Sequence, residues 1–218
     1  MSFLAHPTQT ARLADRLRER TREANARAQR SRFIDGLAQG RLPLAAYAEL
    51  AAQHWFIYES LELASEAMAD DPVAGRFVFP ELFRLPSLEA DLTFMQGPMW
   101  HDRIVALPTT GTYCTRIREA AFDRATGYVA HHATRYLGDL AGGQWLGAKV
   151  VGAYLFRREG YRFFVFEGVE PERIRARYRD LLNTTPWSRS EQDAFLDEVD
   201  AAFQLNIAVL AELESRWT

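Results

Sequence analysis

The sequence predicts an all-α protein that folds as a single domain over residues 1–218. Apolar residues recur at spacings of three and four through most of the chain, which is the period of an amphipathic helix. The only run typical of a β-strand covers residues 161–165, and one strand cannot form a sheet. No linker, repeat or low-complexity tract divides the 218 residues, a length that suits one domain with a sizeable core.

The first predicted helices are separated by glycine and proline. Residues 8–30 carry apolar side chains on one face among many arginines and acids, which predicts a partly exposed amphipathic helix. Residues 31–38 predict a short helix that ends at Gly40. Pro43 then begins a long apolar helix over residues 44–68, because proline is favoured in the first turn of a helix.

The second half of the sequence predicts further helices, for a total of seven to nine. Residues 72–108 contain five prolines and two glycines, so this stretch is expected to hold only short helices. We predict an extended connection at 161–165, and the last helix opens with the capping-box pattern Ser188 to Glu191. The remaining predicted helices cover residues 87–95, 112–122, 125–158, 172–182 and 190–216.

Charge and cysteine content exclude several classes of protein. The 26 basic and 29 acidic residues give a net charge of -3, so nothing in the overall charge favours nucleic acid or a membrane as a partner. The longest apolar runs are shorter than the ~18 residues of a membrane helix, and the first residues lack a signal-peptide core. Cys114 is the single cysteine and predicts inert packing rather than a disulfide. A cytoplasmic location is therefore expected.

The segment RYLGDLAGGQWLGAKVVG, residues 135–152, places glycines inside a predicted helix. Each glycine costs a helix about 0.5–1 kcal/mol relative to alanine, so the pattern needs a reason. Close helix packing, a helix break, and a large flat ligand lying against bare backbone are three reasons that the spacing leaves open. The glycines concerned are Gly138, Gly142, Gly143, Gly147 and Gly152.

Residues 135–144, RYLGDLAGGQ, resemble the signature of the heme oxygenases, here of the bacterial, biliverdin-producing type. The runs FIYESLE, FPEL, LEADLTF, GPMW and AFQLNI resemble the family in the same order. The resemblance implies an all-α fold with heme in a cleft between the first helix and a glycine-kinked helix. It also implies oxidative cleavage of heme, as both cofactor and substrate, to biliverdin, carbon monoxide and ferrous iron. Molecular oxygen would be consumed, with electrons from a ferredoxin or an NAD(P)H-dependent reductase.

The resemblance also assigns site residues. Asp139, Arg135, Tyr58 and Asn206 match the family residues that hold a proton-delivering water network. Taken alone, Asp139 would be interpreted as an exposed acid or as the ion-pair partner of Arg135, four residues away. The family's heme-binding positions correspond here to Gly138, Gly142, Gly143, Arg18, Arg175, Arg179 and Phe203, the arginines facing the propionates.

At one position the sequence departs from the family. Asn25 stands where the family has the histidine that binds the heme iron, and an amide oxygen is a weak iron ligand. Three interpretations stay open: heme binds without a normal iron ligand, another histidine such as His131 replaces it, or the chain is a non-catalytic heme or bilin binder. The chain offers His6, His54, His101, His131 and His132.

Overall fold

The computed structural model describes residues 12–122, 124–157 and 159–218, without the side chains of Asn25 and Gln29. Within these ranges the secondary structure consists of helices and short 3₁₀ turns, with no strand, so the predicted all-α fold is confirmed. The α-helices are α1 (Leu13–Gln29), α2 (Arg32–Ala38), α3 (Leu44–Ala67), α4 (Leu85–Gln96), α5 (Pro108–Ala121), α6 (Ala125–His132), α7 (Gln144–Tyr154), α8 (Pro171–Thr184) and α9 (Arg189–Trp217). No helix of the described ranges is both long and apolar enough to cross a membrane.

Several helix ends follow the signals in the sequence. The Ser31 hydroxyl accepts a hydrogen bond from the Ile34 amide at the start of α2, and Gly40 beyond its end has a φ of +66°. Ser188 and Glu191 form the predicted capping box at the start of α9. Residues 8–11 of the first predicted helix lie outside the described residues, and α1 begins at Leu13.

The core forms where α3, α6 and α9 meet their neighbours. α6 packs against α9, α3 packs against α4 and α5, and α1 lies along α9. α1 buries Leu13, Leu17 and Ala24 on one face, as its amphipathic pattern predicts. Five tyrosines are among the largest fully buried side chains: Tyr58, Tyr113, Tyr128, Tyr136 and Tyr178.

The helix predicted over residues 125–158 forms, but it is not α-helical throughout, and it ends four residues early. The segment between α6 and α7 contains two π-helical turns, Ala133–Leu137 and Asp139–Gly143, so the helix is wider there than an α-helix. It ends at Tyr154, because Leu155 adopts the left-handed conformation with a φ of 57°. We call residues 125–154 the glycine-rich helix.

Two other boundaries differ from the prediction for local reasons. α5 begins four residues early, at Pro108, because proline needs no hydrogen-bond partner in a first turn. The connection at 161–165 is not extended throughout but contains a 3₁₀ turn, Arg162–Phe164. The Asp91 carboxylate accepts hydrogen bonds from the amides of Arg162 and Phe163 at 2.9 and 2.8 Å, which favours the turn.

Packing explains one of the glycines. A Cβ atom on Gly147 would lie 2.6 Å from the Cβ of Phe164, so only glycine lets the 3₁₀ turn approach α7. The chain continues through Gly142 and Gly143 as a helix, which excludes a break there. Cys114 is buried with its thiol against the Phe56 carbonyl, and burial raises the pKa of this thiol, in agreement with inert packing.

Candidate active site

A cavity of about 790 Å³ lies between α1 and the glycine-rich helix, as predicted, and part of α9 closes its end. This volume lies within the range of pockets that hold large organic ligands. α1 contributes apolar and cationic side chains, and the glycine-rich helix contributes glycines and polar groups. Its lining includes Arg18, Arg22, His54, Arg135, Gly138, Asp139, Gly142, Gly143, Phe203 and Asn206.

The glycines of the motif border this cavity. Gly138, Gly142 and Gly143 all line it. A Cβ atom on Gly138 would meet no protein atom within 4 Å, so packing within the protein does not require glycine there. Bare backbone facing a large cavity is what a flat ligand lying against the helix needs. At Gly138 the ligand explanation is therefore favoured over close packing.

Four polar side chains are joined behind and along this wall. The Tyr58 hydroxyl donates a short hydrogen bond to Asp139, and an Arg135 Nη atom donates to the Asn206 amide oxygen at 2.7 Å. The second Nη of Arg135 lies 4.0 Å from the Asp139 carboxylate. Asp139, Arg135 and Asn206 line the cavity, whereas Tyr58 is fully buried behind Asp139. The structure thus brings together all four residues that the resemblance indicated.

Burial controls the protonation of this group. It raises the pKa of Asp139 well above the ordinary range of a carboxyl, so the neutral acid is favoured. Burial also lowers the pKa of Arg135, yet a guanidinium starts so high that it stays charged. The Arg135 Nε atom is buried without a hydrogen-bond partner among the described residues. A buried acid whose protonated form is favoured, beside a charged guanidinium that lines the same cavity, can hold and orient water there.

The predicted cations differ in their positions. Arg18 lines the cavity and is exposed, with Asp15 at 3.7 Å on its own helix. Arg22, which the sequence reasoning missed, also lines the cavity and pairs with Glu19 at 3.1 Å. The sequence signal was available, because residues 18 and 22 are four apart and share one helix face.

The other two predicted propionate-binding arginines do not line the cavity. Arg175 donates to the Leu140 carbonyl at 3.1 Å and to Glu172 at 2.7 Å, so it contacts the glycine-rich helix through a backbone carbonyl. Arg179 lies on the same helix, α8, and is exposed. Their predicted role stays a prediction. Phe203 is buried and does line the cavity, in agreement with an aromatic contact to the ligand.

The structure also shows where Asn25 and the described histidines lie relative to the cavity. Asn25 lies in α1, but its side chain is outside the described part of the structure. His131 is buried away from the cavity, with its Nε2 3.0 Å from Glu198, so its candidacy as an iron ligand is wrong. His132 lies in an aromatic cluster with Tyr136, and His101 stacks on Trp100. His54 lines the cavity, a position that the sequence reasoning did not assign to it. His6 lies outside the described residues.

Comparison with known proteins agrees with this geometry. The heme oxygenase family model matches residues 11–212. The chain is 34% identical to a heme oxygenase of Takifugu rubripes over 205 residues, which are 93% of this chain and 74% of that protein. It is 31% identical to heme oxygenase 1 of a Nostoc strain over 94% of this chain and 87% of the relative.

A solved structure shows the same architecture. Heme oxygenase-1 from the cyanobacterium Synechocystis, crystallised in complex with heme, superposes with a TM-score of 0.89 at 30% identity. The superposition covers 94% of each chain. Both the sequence and the fold therefore lead to one assignment: the chain belongs to the heme oxygenase family.

Proposed function

We propose that Asp139 is the residue through which this heme oxygenase delivers protons as it converts heme to biliverdin, carbon monoxide and ferrous iron. One observation supports the proposal above all. Asp139 lines the cavity beside the bare glycine backbone, and burial raises its pKa well above the usual range of a carboxyl, which favours the protonated acid. General acids of this kind contribute about 10²–10⁴-fold to a rate.

The neighbours of Asp139 each support a part of this role. Tyr58 donates a hydrogen bond to one carboxyl oxygen and so fixes the orientation of the other toward the cavity. Arg135 is held by Asn206, and its guanidinium lies close enough to attract the carboxylate that remains when the proton has left. The group can thus give up a proton to water and recover it without a rearrangement of side chains.

The residues present fit heme as the ligand. The cavity is bordered by glycine backbone on one face, Phe203 at its end and Arg18 and Arg22 at its rim. A flat ring would lie against the glycines and the aromatic side chain, and the two carboxylates of heme would attract the arginines. When bound, heme supplies the iron that activates molecular oxygen, and it is also the ring that is oxidised.

We further propose that the iron has no imidazole ligand from α1. Asn25 matches the ligand position, and α1 contains no histidine or cysteine. An amide oxygen binds iron weakly, so heme would be held mainly by the cavity walls. This feature favours a second candidate function, that of a ligand-deficient protein that binds heme or a bilin without turning it over.

External electrons are required for ring opening, and we propose a ferredoxin or an NAD(P)H-dependent reductase as their source. The family's use of such donors supports this choice. The cytoplasmic location also stays a prediction made from the sequence.

A hemin titration followed by optical spectroscopy tests the function. The unaltered protein and Asn25→His are each titrated with hemin, and a reductant is then added in air. We expect a stoichiometric Soret band that decays to biliverdin in both proteins, about tenfold faster in Asn25→His because an imidazole is a much better iron ligand.

The same experiment separates the two candidates. Binding without decay in the unaltered protein, with decay restored by Asn25→His, would identify a ligand-deficient heme binder. Absence of hemin binding in both proteins would exclude the heme function.

A further inference from the structure

His54 is a cavity-lining residue that the assigned site does not include. It lies on α3 one helical turn before Tyr58, so both side chains project from the same face of the helix. His54 borders the cavity together with Asp139, Arg135 and Asn206. The cavity wall therefore carries an imidazole beside the proton-delivering group.

Aromatic neighbours fix the ring of His54. Phe163 lies with its ring centroid 4.9 Å from that of His54, and Tyr58 meets it edge-on at 6.5 Å. Neither contact uses a ring nitrogen. Within the described part of the chain the two ring nitrogens have no hydrogen-bond partner, and neither is completely buried.

Burial, together with the charge of Arg135, keeps His54 neutral. Burial lowers its pKa well below the usual value, and the positive charge of Arg135 lowers it further. Tyr58 from α3 and Phe163 from the 3₁₀ turn contact its ring, and Arg135 and Asp139 of the glycine-rich helix line the same cavity. A neutral imidazole has one nitrogen that donates and one that accepts, so it can order a water from either side.

An imidazole that is mostly buried and makes no hydrogen bond costs about 1–3 kcal/mol, so a water is the expected partner in a polar cavity. We infer that His54 is a positioning residue whose imidazole holds a cavity water beside the Tyr58–Asp139 pair. This water joins the chain of waters through which Asp139 exchanges its proton. The inference rests on the proposed function of Asp139 and assigns it a further partner.

Three variants test this role. His54→Leu removes the hydrogen-bonding nitrogens at similar volume, His54→Gln retains a donor and an acceptor, and His101→Leu removes an exposed histidine that stacks on Trp100 outside the cavity. Hemin affinity, the rate of biliverdin formation in a single turnover, and the pH midpoint of the ferric hemin spectrum are measured for each. The spectral midpoint is independent of turnover.

The expected pattern is specific to a hydrogen-bonding role. His54→Leu should slow biliverdin formation by about fivefold to tenfold and shift the spectral midpoint by about half a pH unit or more, since one hydrogen bond is lost. His54→Gln should recover most of the rate, and His101→Leu should match the unaltered protein. Hemin affinity should stay within about threefold throughout.

Several results would overturn the inference. If His54→Leu matched the unaltered protein, or if His54→Gln were as slow as His54→Leu, hydrogen bonding by His54 would have no part in the reaction. Loss of a low-spin ferric spectrum in His54→Leu would instead show that His54 binds the iron directly. If the unaltered protein turned over no heme while the spectral midpoint still responded to His54→Leu, the proposed function alone would fail.

Discussion

The two long walls of the cavity are built on different principles. On the glycine-rich helix, the polar groups are buried and joined by hydrogen bonds, with only 6% of the Arg135 side chain exposed. On α1, the cations are in solvent, and 86% of the Arg18 side chain is exposed. The first wall is organised before a ligand arrives, whereas the second has flexible side chains that can reorient around one.

The difference in burial between the two walls predicts that mutations on them have different effects, on turnover for one wall and on affinity for the other. A charge in a buried network interacts strongly because water does not screen it, whereas an exposed ion pair contributes about 0–1 kcal/mol. Changes on the glycine-rich wall should therefore alter turnover sharply. Changes to the arginines of α1 should alter hemin affinity modestly, whereas Asn25, at the family's histidine position on α1, is expected to act on turnover through the iron.

Asp139→Asn should have the largest effect of any single change. The amide keeps the size of the carboxyl but has no acidic proton to deliver. We expect biliverdin formation in a single turnover to fall by about 100-fold, while hemin affinity changes less than about threefold. Arg18→Ala is the matched variant on the other wall, and it should weaken hemin binding by about twofold to fivefold while the single-turnover rate of the hemin-bound protein stays nearly unchanged. Equal loss of turnover in the two variants would remove the distinction between the walls.

Burial of Asp139 also predicts a pH dependence of folding stability. The folded-state pKa is raised above the unfolded value, so the stabilisation from this group is complete below about pH 4 and is lost as the pH rises through the raised pKa. In that window the free energy of unfolding of the heme-free protein should fall relative to that of Asp139→Asn, by at most about 1.4 kcal/mol per pH unit.

Urea unfolding of both heme-free proteins at pH 5 and pH 8 measures this difference. Other titrating groups are common to the two proteins and cancel in the comparison. A constant difference across the pH range would mean that Asp139 is ionised in the folded protein.

The sequence predicted much of the glycine-rich wall, because its residues lie close together in one segment. Asp139 and Arg135 are four apart and lie together along the cavity, and Asn206 meets Arg135 from α9 as the resemblance implied. The two π-helical turns were not predictable, because hydrophobic spacing does not distinguish the hydrogen-bond pattern of a π turn from that of an α turn. Neither was the burial of Tyr58 behind Asp139, which depends on how α3 packs.

The positions of the cationic residues were harder to predict from the sequence. Arg175 and Arg179 do share a helix, as their spacing of four predicts, but neither lines the cavity, and Arg175 donates to the Leu140 carbonyl; their role at the propionates stays a prediction. Spacing fixes which residues share a face and leaves open where that face points. His54 was missed because a histidine on an apolar helix is more often interpreted as a core residue, although its position four residues before Tyr58 was a usable signal.

Two glycines of the glycine-rich helix are expected to differ in what they do, since Gly138 borders the cavity and Gly147 packs against Phe164. Gly138→Leu should weaken hemin binding by about tenfold, because the new side chain would occupy cavity space where a Cβ meets no protein atom. Gly147→Ala should leave hemin affinity unchanged but lower the free energy of unfolding by about 1–3 kcal/mol, since its Cβ would lie 2.6 Å from Phe164. Hemin titration and urea unfolding of both variants measure the two effects, and a Gly138→Leu protein with normal affinity would place the ligand elsewhere.

The smallest effects are expected on α1. Arg18→Ala and Arg22→Ala should each weaken hemin binding by about twofold to fivefold, because an exposed cation facing a carboxylate is largely screened by water. Raising the salt from 0.05 to 0.5 M should reduce the difference between each variant and the unaltered protein, since salt screens exposed charges. Asp139→Asn provides the contrast. Its loss of single-turnover rate arises in a buried network, so this loss should persist at high salt. If each arginine variant lost more than tenfold in hemin affinity and the loss persisted at high salt, these side chains would be buried by the ligand. In the complex α1 would then be as well ordered as the glycine-rich helix is in the ligand-free protein.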